Sequence, residues 1–131
     1  MTTNLEREIR TSLREGKLGC AAAWKVAERA AVERSVVGEM ADQLEIRVSH
    51  CQLGLFGYGD KRLGEHKIMK PAHDAQPALA EAIQAAAQDG KVTCAQLFEI
   101  AERLGRPPMA ASAQAEALGI KIVNCQLGCF P

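Results

Sequence analysis

Cys51-Gln52-Leu53-Gly54-Leu55-Phe56 returns 74 residues later as Cys125-Gln126-Leu127-Gly128-Cys129-Phe130, with five of its six positions unchanged. The register extends outward from that block without a gap. Leu44 and Ile46 answer to Leu118 and Ile120, Ala27-Glu28-Arg29 to Ala101-Glu102-Arg103, and Cys20 to Cys94. Gly16-Lys17 answers to Gly90-Lys91, Ile9 to Ile83 and Leu5 to Leu79. Between residues 5–56 and 79–130, 17 of 52 pairs are identical. An internal repeat of this quality sets the architecture before any motif is read. The chain of 131 residues is two copies of one small module. A unit of about 50 residues is marginal in core, so the copies are expected to pack on each other. We place the first at 1–56, a connector or wing at 57–76 and the second at 77–131.

Each copy reads as mainly helical. Leu5, Ile9 and Leu13, and Leu79, Ile83 and Ala87, keep one apolar face of a first helix, which Gly16 and Gly90 are expected to stop. Cys20, Trp24, Ala27 and Ala31 form the stripe of a second helix, repeated by Cys94, Phe98, Ala101 and Gly105. Trp24 and Phe98 are thus equivalent core anchors. After a short break, in which Pro107-Pro108 suits a turn and a first helical position, a third helix buries Val37, Met40, Ala41 and Leu44, or Ala111, Ala115 and Leu118. Ile46-Arg47-Val48 and Ile120-Lys121-Ile122 alternate as strands do.

Residues 23–42 and 97–116 resemble the helix-turn-helix of bacterial transcription regulators. Ala27, Ala31, Val37 and Met40 stand where that pattern wants small and apolar residues, as do Ala101, Gly105 and Ala111 in the second copy. Gln114 holds the place of Met40. Leu97-Phe98-Glu99-Ile100-Ala101-Glu102-Arg103-Leu104-Gly105 carries the likeness best. The helix before and the strand after extend it to the winged-helix variety, over about 40 residues per copy. The resemblance implies two tandem winged-helix-like repeats packed together, in a small cytoplasmic DNA-binding or transcription-regulatory protein. The third helix would then lie in the major groove of double-stranded DNA, with Arg34, Ser35 and Gln43 reading bases. Lys61, Arg62, Lys67 and Lys70 of the connector would hold phosphates, and the repeat or a homodimer would supply two reading heads.

Charge sets a rival beside this reading. Lys and Arg number 12 against 10 acidic residues in 1–70, and 4 against 6 in 71–131, so no domain-wide basic footprint marks nucleic acid. The outward positions of the third helix include Glu39 and Asp42 in one copy, and Met109, Ser112, Ala113 and Glu116 in the other. Such a face suits a protein-interaction module that has kept the scaffold without DNA. A second rival rests on the cysteines. With no basic-then-apolar leader the compartment is taken as reducing, so disulfide scaffolding is not expected. Cys20 and Cys94 read as small buried hydrophobes. Packing also explains Cys51 and Cys125, with Leu53 and Phe56, or Leu127 and Phe130, plugging a core. The alternative gathers His50, Cys51, Cys125 and Cys129 as metal ligands or redox thiols in a metal- or redox-responsive accessory protein.

Nothing points to an enzyme. A Gly-rich phosphate loop, Gly-x-Ser-x-Gly and His-Glu-x-x-His are all missing, and His50, His66 and His73 lack an acid at fixed spacing. No cofactor and no membrane partner are expected, since no apolar run nears the roughly 20 residues of a span.

Overall fold

The computed structural model describes residues 2–58, 66–74 and 76–129. The fold is mainly helical, with four short strands among the described residues. The first copy runs α1 (Thr2–Thr11), β1 (Leu18–Gly19), α2 (Cys20–Ala30), α3 (Arg34–Gln43) and β2 (Val48–Ser49). The second repeats it as α4 (Pro77–Ala86), β3 (Lys91–Thr93), α5 (Cys94–Arg103), α6 (Pro108–Ala117) and β4 (Lys121–Val123). Lys61 and Arg62 of the expected phosphate-binding set and Phe130 of the expected core lie outside the described residues.

Two local expectations are corrected. Gly16 and Gly90 do not end the first helices, which stop at Thr11 and Ala86. They sit in tight turns where Arg14 and Lys17, or Gln88 and Lys91, exchange backbone hydrogen bonds of 2.9–3.0 Å. Both central residues of each turn have positive φ, 52° and 76° at Glu15 and Gly16 and 53° and 73° at Asp89 and Gly90. That is the backbone of a type I′ turn, for which glycine at the second place is suited. The second correction concerns strands β1 and β3, absent from the sequence reading. They give β2 and β4 parallel partners, pairing Leu18 with Val48 and Val92 with Ile122. Parallel pairing requires a crossover, and the α2–α3 and α5–α6 pairs supply it. A wing would be an antiparallel hairpin after the third helix; among the described residues the strand after that helix instead returns to β1 or β3.

The cores are not the two repeats as cut from the sequence. Leu5, Ile9, Leu18, Ala23, Val26, Val37 and Ala41 form one buried cluster, and its remaining buried members are Cys20, Ala27 and, from the other copy, Leu127. The second cluster, around Leu79, Ile83, Val92, Leu97, Ile100 and Ala111, takes in Cys51 and Leu53 from the first copy. Each copy therefore hands its Cys-Gln-Leu-Gly block to the other. The plugging role expected of Leu53 and Leu127 is correct in kind, but the core plugged belongs to the opposite module.

The exchange fixes what covers the third helices. Leu127 lies so close over Gly38 that an added Cβ would sit 1.7 Å from its carbonyl oxygen; only a glycine permits that approach. In the second copy Ser112 stands at this position and is fully buried. Ser112 is thus corrected from outward to inward, and Gly38 faces inward with it. The connector covers α6 further: Ala72 N–H donates to the Ala113 carbonyl at 3.1 Å, Gln76 N–H to Gln114 Oε1 at 3.2 Å, and Lys67 pairs with Glu116 at 3.3 Å.

Candidate functional site

The seam between the modules is where the chain concentrates its chemistry. Trp24 and Phe98, read from the sequence as anchors of separate cores, meet across it with ring centroids 4.4 Å apart. Around them Cys20, Cys51, Cys94 and Cys125 line one small void, closed by Phe56, Gln126 and Leu127. The four thiols come in two equivalent pairs, one pair from each copy. At about 10 Å³ the void is at the lower limit for a single water.

Local structure explains the convergence. Cys20 and Cys94 are the first residues of α2 and α5, and the α5 start is fixed by a capping box between Thr93 and Gln96. Cys51 and Cys125 open the exchanged blocks, following His50 and Asn124, whose φ of 51° and 54° turns the chain sharply after the strand. Within each block successive side chains serve opposite modules. Gln52 donates to Cys20 of its own copy at 3.4 Å and Gln126 to Cys94 at 3.9 Å, while Leu53 and Leu127 enter the other module's core.

Two effects compete at Cys20 and Cys94. A helix N-terminus favours thiolate, whereas burial favours the neutral thiol. Burial wins. It raises Cys20 above the ordinary thiol range and pushes Cys94 up to about 11, and the hydrogen bonds from Gln52 and Gln126 offset only part of this. These two thiols are protonated and inert at neutral pH.

Cys125 is the opposite case. The hydrogen bond from the Cys129 thiol lowers it to about 6 against its partial burial, and the same bond raises Cys129. Residues 125–128 make a turn, with Gly128 N–H donating to the Cys125 carbonyl at 3.0 Å. Cys129 is exposed and Cys125 half-buried. Both side chains can therefore be approached from solvent.

The expected DNA-reading residues fare unevenly. Arg34 is drawn into the seam, its guanidinium 3.5 Å from the Trp24 ring centroid and its Nη1 donating to Gln126 Oε1 at 2.5 Å. Ser35 and Gln43 are exposed, as are Glu39 and Asp42 between them. Lys67 is engaged with Glu116, and Lys70 is exposed. The described members of the set do not form one basic surface.

The four residues of the metal alternative are not gathered into one site. His50 accepts or donates at Ser49 Oγ, 2.8 Å away, and stands edge-on to Tyr58, away from the void. Cys20 and Cys94, which read as packing in the sequence, line the void instead. Their retention in both copies beside Cys51 and Cys125 was the signal available. Among the described residues no three His, Cys, Asp or Glu side chains are grouped to hold a metal ion. None of the described helices is long and apolar enough to cross a membrane.

No family model, curated protein or solved structure matches the chain. The site must be argued from its own geometry.

Proposed function

We propose that this chain is a thiol-based, redox-responsive regulatory protein: two helix-turn-helix-like modules whose mutual fit is set by the cysteines between them. The observation that carries this reading is the convergence of Cys20, Cys51, Cys94 and Cys125 on the seam, with the Cys125–Cys129 contact at its edge. Burial accounts for Cys20, Cys51 and Cys94, whereas the half-buried Cys125 and the exposed Cys129 are open to chemistry from solvent. A low-lying thiolate beside an exposed thiol is what oxidation chemistry requires.

What the modules regulate is a separate matter. The α2–α3 and α5–α6 pairs keep the order of a helix-turn-helix, and that pair, without a wing, is the scaffold of this proposal. The faces that would read DNA carry Glu39 and Asp42, and phosphates repel carboxylates. With Arg34 committed to Trp24, these faces fit a basic protein partner better than duplex DNA.

Hydrogen exchange on reduced protein and on protein treated with one equivalent of a mild thiol oxidant tests the proposal. Loss of protection on both sides of the seam, in α2–α3 and α5–α6, is expected. Identical exchange in the two states would reduce the cysteines to packing. Duplex binding across a salt series, run on both samples, would reinstate the DNA reading if affinity fell steeply with salt.

A further inference from the structure

We infer that the groove along α3 is the seat of an extended, lysine-bearing segment of a partner protein, held there as residues 67–72 of this chain are held on α6. This rests on the reading of the α3 face as a surface for a basic protein partner, and gives that partner its chemistry.

The second copy displays such a segment in place. The Gly54 carbonyl accepts from the Ile68 and Met69 amides at 2.9 and 3.0 Å. Met69 is 3% exposed, and a Cβ added at Gly54 would meet Met69 and Met109 at 2.8 and 3.0 Å. Lys67 pairs with Glu116 at 3.3 Å, and Ala72 N–H donates to the Ala113 carbonyl at 3.1 Å. A cation, a buried apolar side chain two residues on and a backbone amide three residues beyond that fix the segment along α6.

At the offset of 74 residues, Gly54, Met109, Ala113 and Glu116 answer to Gly128, Ser35, Glu39 and Asp42. These four line a single groove of about 550 Å³. Gly128 keeps the left-handed backbone of Gly54, with φ of 80° against 77°. A Cβ added at Gly128 would meet nothing within 4 Å, and among the described residues no amide donates to its carbonyl. The first copy thus has the acceptors of the second, and no described segment crosses them.

The differences between the two seats define the occupant. Glu39 stands for Ala113 and Glu45 for Gly119, so with Asp42 the described lining carries three exposed carboxylates against the guanidinium of Arg47. Complementarity therefore asks for at least two cations, where Lys67 alone serves on α6. Ser35 is shorter than Met109, so the buried apolar side chain is as long as methionine or longer. Phosphates are repelled by the same carboxylates. A second copy of this chain is a poorer donor, since its own residues 67–72 are engaged on its α6.

The test adds a fluorescein-labelled peptide, His-Lys-Ile-Met-Lys-Pro-Ala-His, copied from residues 66–73, to the reduced 131-residue protein. Saturable anisotropy is expected, with amide shifts in α3 and slower alkylation of Cys129, which lines the groove. Aspartate in place of the peptide's methionine, and the double variant Glu39→Lys/Asp42→Lys, should each weaken binding by about tenfold or more. Glu28→Lys, outside the groove, should not. Both acids are exposed and the altered peptide leaves the protein untouched, so lost binding is separable from lost fold. No binding, equal binding to the double variant, or shifts confined to α6 would overturn the inference. A dimer in light scattering with protected α3 amides would also overturn it in favour of a second copy, and displacement of the peptide by duplex DNA in favour of nucleic acid. If the peptide fails while oxidant still alters exchange across the seam, the redox reading stands without this partner. If it binds and exchange is identical in both redox states, the docking site stands and the redox reading fails.

Discussion

Truncating Leu53 should weaken the module to which it does not belong in sequence. The side chain is fully buried among Leu79, Ile83, Leu97 and Ile100. Leu→Ala at such sites costs about 3–5 kcal/mol, growing with the cavity that fails to collapse. Collapse is hindered here because Gly54 is pinned: its carbonyl accepts from Ile68 and Met69 at 2.9 and 3.0 Å, and Met109 and Met69 abut it. The upper part of the range is therefore expected. Residue-resolved hydrogen exchange separates the modules. Leu53→Ala should lower protection in α4–α6 by the larger amount, and Leu127→Ala should do so in α1–α3 while shifting the emission of Trp24. Leu53→Ala loosening α1–α3 first would refute the exchange of blocks. Equal losses in both modules would show that the seam, and not the plug, sets each module's stability.

Glu45 adopts φ of 58° where the second copy has Gly119 at 71°; because left-handed backbone costs an L-residue about 1 kcal/mol or more, Glu45→Gly should raise the thermal midpoint, and a fall would contradict it. Arg34→Ala removes the stack on Trp24 and the bond to Gln126, so denaturant titration should show a loss of about 1–2 kcal/mol, with duplex affinity unaltered in anisotropy. The thiols give opposite pH windows. Cys125 is depressed in the fold from 9.0 to about 6, so its stabilisation is complete above pH 9 and lost as pH falls through 6; its alkylation rate should titrate near 6. Cys94 is raised to about 11, so stability should decline from pH 9 to 11 and Cys94→Ala should flatten that decline.

The duplication made most of the helices legible, because apolar residues repeated at helical spacing in two independent copies. Leu5, Ile9, Leu79 and Ile83 are buried as their spacing implies. The two-residue strand Leu18–Gly19 was too short to carry an alternation, and its partner lies 30 residues on. The exchange of blocks was illegible for a different reason. Leu53 must be buried in either module, and composition is blind to which of two equivalent pockets receives it. The same limit hid the thiol centre, since Cys20 and Cys51 meet Cys94 and Cys125 only through that exchange. Arg34 packs on Trp24 and Gln126 because an outward helical position can still face a neighbouring module.

Reciprocal completion also has a consequence during synthesis. The first module has every strand and helix it needs once Ser49 has emerged, yet its core waits for Leu127, roughly 80 residues later. At about 5–20 residues per second the ribosome leaves that pocket unfilled for several seconds or longer. Throughout that interval the nascent chain presents an apolar socket that only its own later residues fit, a natural foothold for a chaperone. Release from it would then report that the second copy has been made.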